Sequence, residues 1–430
     1  MAPAMAAAAV TGHTNCETSS TAQGRAAAGI RGFAAAAGGP RSSSCRSVYN
    51  VRAFGANGNG VSSDSPAFLS AWAAACHSTG TATILVPAGF TYLLASPTDF
   101  SGAGCSATLI LEVDGLVVAP KSPSAWKSSG ASAHWIQFTD CTRFTLHGKG
   151  IFDGSGAAFW AKGGSSRPMA IRFLRATNVQ VLGITIRNSP MVHLKFNNCN
   201  GGLIKGVTIS APANTPNTDG IHFQTAVSNF EVADCKIGTG DDCVSVGTGT
   251  SSVSIHDTIC GPGHGISIGS LGAGNSVACV TDISVFNIVF VGTTNGCRIK
   301  TTPGGMGAAT RISYNNVTMV GAANPVYIDQ FYGGGSGKSN AVQLSSVSFT
   351  NIRGTTISPV PVYLSCSTTH ACSQVVMSNI NLVHTNSQPL ASYCSASYGT
   401  ASALMRPASC LKPMGGISTL SNEGNAICGF

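Results

Sequence analysis

A short unit ending in an aliphatic or aromatic residue recurs eight times along the middle and end of this chain. The units are Gly183–Ile186, Gly206–Ile209, Asp234–Ile237, His256–Ile259, Asn287–Phe290, Asn316–Met319, Ser346–Phe349 and Asn379–Leu382, spaced 22 to 33 residues apart. Each alternates small or polar residues with apolar ones, as a half-buried strand does. One strand per period of this length is the pattern of a parallel β-helix solenoid. A single coil cannot bury its inner face alone, so successive coils stack into a continuous core. The 52 glycines and the 9% charged content leave too few helix formers for a helical bundle. A β-sandwich or propeller is the competing all-β reading, but Asn-Gly hairpin signals between paired strands are sparse.

The open end of a solenoid needs cover. Ser65 is placed to cap a helix, Pro66 suits its first position, and Phe68, Leu69, Trp72, Ala75 and Cys76 share one face. This short helix is the expected N-terminal cap. Residues 1–46 are rich in Ala, Gly, Ser and Arg with one acid, Glu17, and read as a low-complexity leader, disordered or processed, without an evident signal peptide. Residues 47–430 read as one β-helix domain. No run of 18 strongly apolar residues suggests a membrane-spanning helix, so no membrane insertion is expected.

The net charge is +8, with only 12 Asp and 4 Glu. That balance suits a polyanionic partner as well as plain solubility. Dense Lys/Arg tracts are missing, so nucleic acid is the least supported partner. Sixteen cysteines without zinc-ligand spacing favour several disulfides in an oxidising compartment over buried thiols. Cys243/Cys260 and Cys366/Cys372 are the close pairs, and Cys394, Cys410 and Cys428 lie near the end.

With acids so scarce, their clustering is informative. Asp219, Asp241 and Asp242 fall within 24 residues, at similar places on successive coils. Neighbours in a strand point to opposite faces, so Asp241 and Asp242 share a face only if the Gly238-Thr239-Gly240 lead-in bends. The next coil carries Gly263-His264-Gly265, and the one after it Arg298-Ile299-Lys300, whose two cations share a strand face. Acids, imidazole and cations are thus expected in register on one groove. Glycosidic cleavage uses one protonated carboxyl for the leaving oxygen and one carboxylate to activate water or attack carbon. A sugar bearing carboxylates needs cations beside the scissile bond. Taken singly, Asp219 reads as a turn residue, Asp241-Asp242 as a solvated turn or cation site, His264 as a tight turn, and Arg298 and Lys300 as an outward face. Their succession on consecutive coils favours a site.

Asn217-Thr218-Asp219-Gly220, Gly240-Asp241-Asp242-Cys243, Cys260-Gly261-Pro262-Gly263-His264-Gly265 and Arg298-Ile299-Lys300 resemble, in order and spacing, the four signature motifs of the polygalacturonases, glycoside hydrolase family 28. The resemblance runs from about Val48 and is strongest to the plant branch. Val51–Phe68, Gly150–Trp160, Asn188–His193 and Asn324–Tyr332 also fit it. It implies a right-handed parallel β-helix and inverting hydrolysis of α-1,4 bonds between galacturonates in homogalacturonan. It also implies Asp241 as general acid, and Asp219 and Asp242 as holders and activators of water. His264 would tune the acid or hold substrate. Arg298 and Lys300 would bind substrate carboxylates, and Asn217 would position substrate or an aspartate. A Cys243–Cys260 disulfide would bracket the site, with no metal or cofactor. A secreted, monomeric cell-wall enzyme acting on acidic polysaccharide follows from the same resemblance.

The chain departs from the family at Thr301-Thr302-Pro303, where many plant members place Trp after the first Thr. It departs again at Gly333, where a customary Cys is replaced, and at Ser62-Ser63 before Asp64. These touch subsite shape and local stability more than the matched site residues. Three alternatives stay open: a rhamnogalacturonan or xylogalacturonan hydrolase, a Ca²⁺-dependent lyase, and a non-catalytic pectin-binding β-helix. Asn316-Val317-Thr318 is a glycosylation sequon inside a repeat unit, where a stacking or turn asparagine is the favoured reading.

Overall fold

Val, Ile, Leu and Phe occupy alternate strand positions and turn to one side, which winds the chain into stacked parallel coils. The computed structural model describes residues 13–15, 46–126, 133–161, 167–334, 341–414 and 423–429. The expected leader lies outside the described residues, except for Arg46 and for His13–Asn15, which pairs antiparallel with Arg46–Asn50. All other strand pairings among the described residues are parallel.

Among the described residues one sheet has 11 strands, running from Thr98–Ser101 to Ser392–Ser395. The other begins as two stacks side by side: Thr177–Leu182 pairs with Asn200–Lys205, while Thr185–Arg187 pairs with Thr208–Ser210. From Thr250–Cys260 onward one long strand serves both stacks. Phe100, Phe138, Phe173, Phe196 and Phe223 take the same inward position on successive coils, with ring centroids 5.0 to 5.5 Å apart. Burying each ring contributes roughly 2–3 kcal/mol.

The repeat units stack in one row at Ile186, Ile209, Ile237, Phe290, Met319 and Leu382. Two units are displaced from their expected ends. Cys260, not Ile259, takes the inward position, and Ile259 is 44% exposed. Further on, the row passes through Gly354, while Phe349 pairs with Tyr314 and Met377 elsewhere on its strand. Gly354 has φ 123°, and a Cβ there would collide with the Met319 carbonyl. A pattern keyed to apolar endings cannot register a position where backbone crowding admits only glycine.

The early helix, α1, spans Ser65–Cys76, and its N-cap is Asp64 rather than Ser65. The Asp64 carboxylate does not cap the helix; it accepts backbone N–H bonds from Asn57, Gly58 and Leu93. Phe68, Ala71, Trp72 and Ala75 are buried, whereas Leu69 is 40% exposed and lies off that face. Trp72 packs on Phe100, Phe138 and Phe144 and donates to the Ser101 carbonyl, which fixes α1 against the first coils.

Among the described residues ten cysteines form the disulfides Cys76–Cys105, Cys243–Cys260, Cys279–Cys428, Cys366–Cys372 and Cys394–Cys410. Cys141, Cys199, Cys235 and Cys297 are buried thiols instead. Asn316 sits in a side-chain ladder, donating to Asn287, which donates to Asp257. Among the described residues no helix is long and apolar enough to cross a membrane.

Candidate active site

The loops entering three consecutive strands of the 11-stranded sheet, Ile221–Gln224, Val244–Val246 and Ile266–Leu271, carry the acids and the imidazole. Gly220 N–H donates to the Asp242 carbonyl, and Cys243 N–H to the Gly265 carbonyl. This register places Asp219, Asp242 and His264 in one row. Arg298 does not join it: it is in register with His222, Ser245 and Ser267, three positions further along the strands. Arg298 and Lys300 reach the acids through the length of their side chains.

The backbone bends between Gly240 and Cys243, and Gly240 is held so close to the Thr215 carbonyl that a Cβ would collide with it. The bend turns both neighbouring carboxylates into the groove. Asp241, Asp242 and His264 each bring a polar atom within 4.8 Å of the others. Asp242 is the deeper of the pair, with its side chain 2% exposed against 17% for Asp241.

Asp242 accepts from Ser267 Oγ at 2.6 Å and pairs with Lys300 Nζ at 3.0 Å and Arg298 Nη1 at 3.6 Å. Burial pushes its carboxyl up to about 6; Lys300 pulls the other way, and the charges of Asp219 and Asp241 add to the rise. For Asp219 burial also acts upward, but His222 and a 2.6 Å bond from Ser245 Oγ outweigh it, holding the carboxyl at about 2. Neighbouring carboxylates are thus driven apart in acidity by their partners.

Asp241 accepts from Asp242 N–H at 2.8 Å, Asn217 N–H at 3.1 Å and His264 Nδ1 at 3.1 Å. The bond to Asp241 raises the His264 pKa. Asn217 has φ 55°, a left-handed conformation that asparagine tolerates. Its Oδ1 accepts from Arg167 Nη2 at 2.7 Å, and the buried Arg167 also donates to the Pro190 and Pro216 carbonyls. His193, fully buried, receives Ser189 N–H on Nε2 while Nδ1 lies 3.1 Å from the Asp219 carbonyl; burial lowers its pKa to about 4, so the ring is neutral. Arg298 and Lys300 both lie over the Tyr332 ring, 5.3 and 5.1 Å from its centroid.

All the expected site residues therefore meet in one groove, with the Cys243–Cys260 disulfide beside it. Arg167, His222, Ser245, Ser267 and Tyr332 join them. Their signal is positional: His222, Ser245 and Ser267 become a row only once the coil register is known. A divalent cation such as Ca²⁺ needs about 6–8 oxygen ligands. Asp241, Asp242 and His264 could each turn a ligand atom to one point, but an ammonium already lies against Asp242.

Stacked parallel coils with clustered carboxylates, an imidazole and two cations define a parallel β-helix protein with a candidate acid–base site. Residues 76–402 match the model of the glycosyl hydrolases family 28. A polygalacturonase of Prunus persica is 40% identical over 376 residues, covering 85% of this chain and 93% of the relative. A polygalacturonase of Cryptomeria japonica is 41% identical over 350 residues, covering 78% and 67%. Among solved structures, an endo-xylogalacturonan hydrolase from Aspergillus tubingensis superposes with a TM-score of 0.72 at 23% identity, covering 83% of this chain and 99% of the other. An exopolygalacturonase from Thermotoga maritima gives 0.68 at 20% identity, covering 78% and 86%. The chain belongs to glycosyl hydrolases family 28, and it is a glycoside hydrolase.

Proposed function

We propose that the chain hydrolyses α-1,4 bonds between galacturonate units of homogalacturonan, with inversion. One observation carries the reading: two buried cations, Arg298 and Lys300, stand beside the carboxylates rather than away from them. That arrangement suits a substrate whose own units are carboxylates. The relatives near 40% identity that are named polygalacturonases support the same substrate. The xylogalacturonan hydrolase, at 23% identity, speaks for the fold alone.

In this reading Asp241, partly exposed and bonded to His264, gives its proton to the leaving glycosidic oxygen. Asp219, held ionised by His222 and Ser245, and Asp242 orient a water and take its proton as its oxygen attacks the anomeric carbon from the opposite face. The C–O bond breaks as the new one forms, which inverts the configuration. Arg298 and Lys300 hold a substrate carboxylate, and Asn217 fixes Asp241 through its N–H. The five disulfides among the described residues support action in an oxidising, extracellular setting such as the cell wall.

The test is incubation with polygalacturonate in excess chelator, followed by reducing-end and ultraviolet assays and proton NMR of the first product. New reducing ends in the β configuration, without an unsaturated product, are expected. An unsaturated product would establish a lyase, and binding without new ends a non-catalytic protein; either overturns the proposal.

A further inference from the structure

The outward row that contains His222, Ser245, Ser267 and Arg298 continues beyond the site in both directions. Toward the N-terminal coils it runs through Lys195 and Arg172. Toward the C-terminal coils it runs through Tyr327, Tyr363 and Tyr393. We infer that this row reads the methyl-esterification of the substrate unequally on the two sides of the scissile bond, demanding free carboxylates on the Lys195 side and admitting esters on the tyrosine side. This rests on the galacturonan reading above.

Three features carry the inference. The first is continuity, because the row passes through the groove floor without a break in register. The second is chemistry. Lys195 makes no hydrogen bond or ion pair with any described residue, although the Asp219 charge acts on it, and Arg172 bonds Asn197 through Nε. Two half-buried cations on successive coils favour free uronate groups, and a neutral ester would leave Lys195 with only the Asp219 carboxylate, outside ion-pair distance, to balance it. The Asp99 carboxylate, bonded by Gln137 and His134, ends that stretch.

The third is the contrast beyond Arg298. The strands Asn324–Asp329, Val362–Ser365 and Ser392–Ser395 hold no Lys or Arg. Instead the rings of Tyr327, Tyr363 and Tyr393 stack at 5.1 and 4.8 Å, nearly parallel, and Tyr393 is 45% exposed. Such a ladder offers apolar edges and phenolic hydroxyls, which suit a neutral sugar ester. Asp329, in register with Lys300, adds a carboxylate that repels a free uronate there. The ladder steps by one coil, a rise comparable with one sugar ring of an extended glycan.

The experiment is digestion of randomly, partially methyl-esterified homogalacturonan, with the ester positions of the product ends read by tandem mass spectrometry. Units next to the cut should be unesterified on both sides, because Arg298 and Lys300 hold one and Lys195 the other. From the second unit outward, esters should be depleted on one side and near their bulk frequency on the other. A Lys195→Gln/Arg172→Gln variant should restore esters several-fold on the depleted side. A Tyr363→Ala/Tyr393→Ala variant should raise KM for long esterified chains roughly ten-fold relative to short ones. Equal depletion on both sides, or a pattern unchanged in the Lys195→Gln/Arg172→Gln variant, would overturn the inference while leaving the hydrolase reading intact. Failure to cleave unesterified polygalacturonate would overturn both.

Discussion

Lys300 Nζ lies 3.0 Å from Asp242 Oδ2, and both side chains are almost fully buried. The pair joins two coils and sets the charge of the deepest carboxylate in the groove. Burial drives Asp242 toward its neutral form, and the ammonium opposes it. A Lys300→Met variant removes that opposition. We expect its kcat/KM profile to have an acid limb displaced to higher pH by about one unit or more. An unmoved limb would mean that ionised Asp242 is not needed for turnover. The lost partner should also lower stability, by up to roughly 3 kcal/mol in chemical denaturation.

Asp242 also predicts a pH dependence of folding. Its folded pKa of about 6 stands above the unfolded value of 3.8, so the native state holds the proton more tightly. That contribution is complete below the unfolded value and is lost as pH rises through about 6. An Asp242→Asn variant lacks it. The parent should lose stability relative to the variant between pH 4 and pH 7. Denaturation midpoints of both proteins at the two pH values check this, and a constant difference would contradict it.

Arg167 acts on the site through another residue. Its guanidinium holds the Pro190 and Pro216 carbonyls and Asn217 Oδ1, and Asn217 N–H is bonded to Asp241. We expect Arg167→Ala to lower kcat roughly ten- to hundred-fold through misplacement, with KM changed less. Arg167→Lys should rescue little, since one ammonium cannot serve all three acceptors in this geometry. Full rescue by lysine would reduce the role of Arg167 to charge.

The Cys243–Cys260 disulfide joins the acid-bearing loop to the next coil across a sequence separation of 17. Replacing Cys260 by Ser should cost about 3 kcal/mol of stability. A denaturation midpoint equal to that of the parent would show the bond to be dispensable for folding.

The coil architecture was legible because alternation and period survive in the residues themselves, as at Ile186, Ile209 and Ile237. It failed locally where the inward position is a cysteine or a glycine, at Cys260 and Gly354. The helix face failed at Leu69, because apolar spacing alone does not say which flank meets the coils. Asp219, Asp241, Asp242 and His264 were legible as motifs. The row itself was not: strand register across coils is set by loop length and bends. For that reason Arg298 aligns with Ser267 rather than with His264. Arg167 carries no local signal, since it reaches Asn217 across 50 residues of sequence.

In the proposed mechanism Asp241 delivers the proton to the leaving oxygen. The most direct test is reducing-end release from polygalacturonate by the parent and by Asp241→Asn, with polygalacturonate binding measured alongside. We expect the variant to bind as the parent does and to lose about 10²–10⁴-fold in kcat, the usual worth of a general acid. Turnover within a few-fold of the parent would contradict the assignment and move the acid to another carboxyl of the groove.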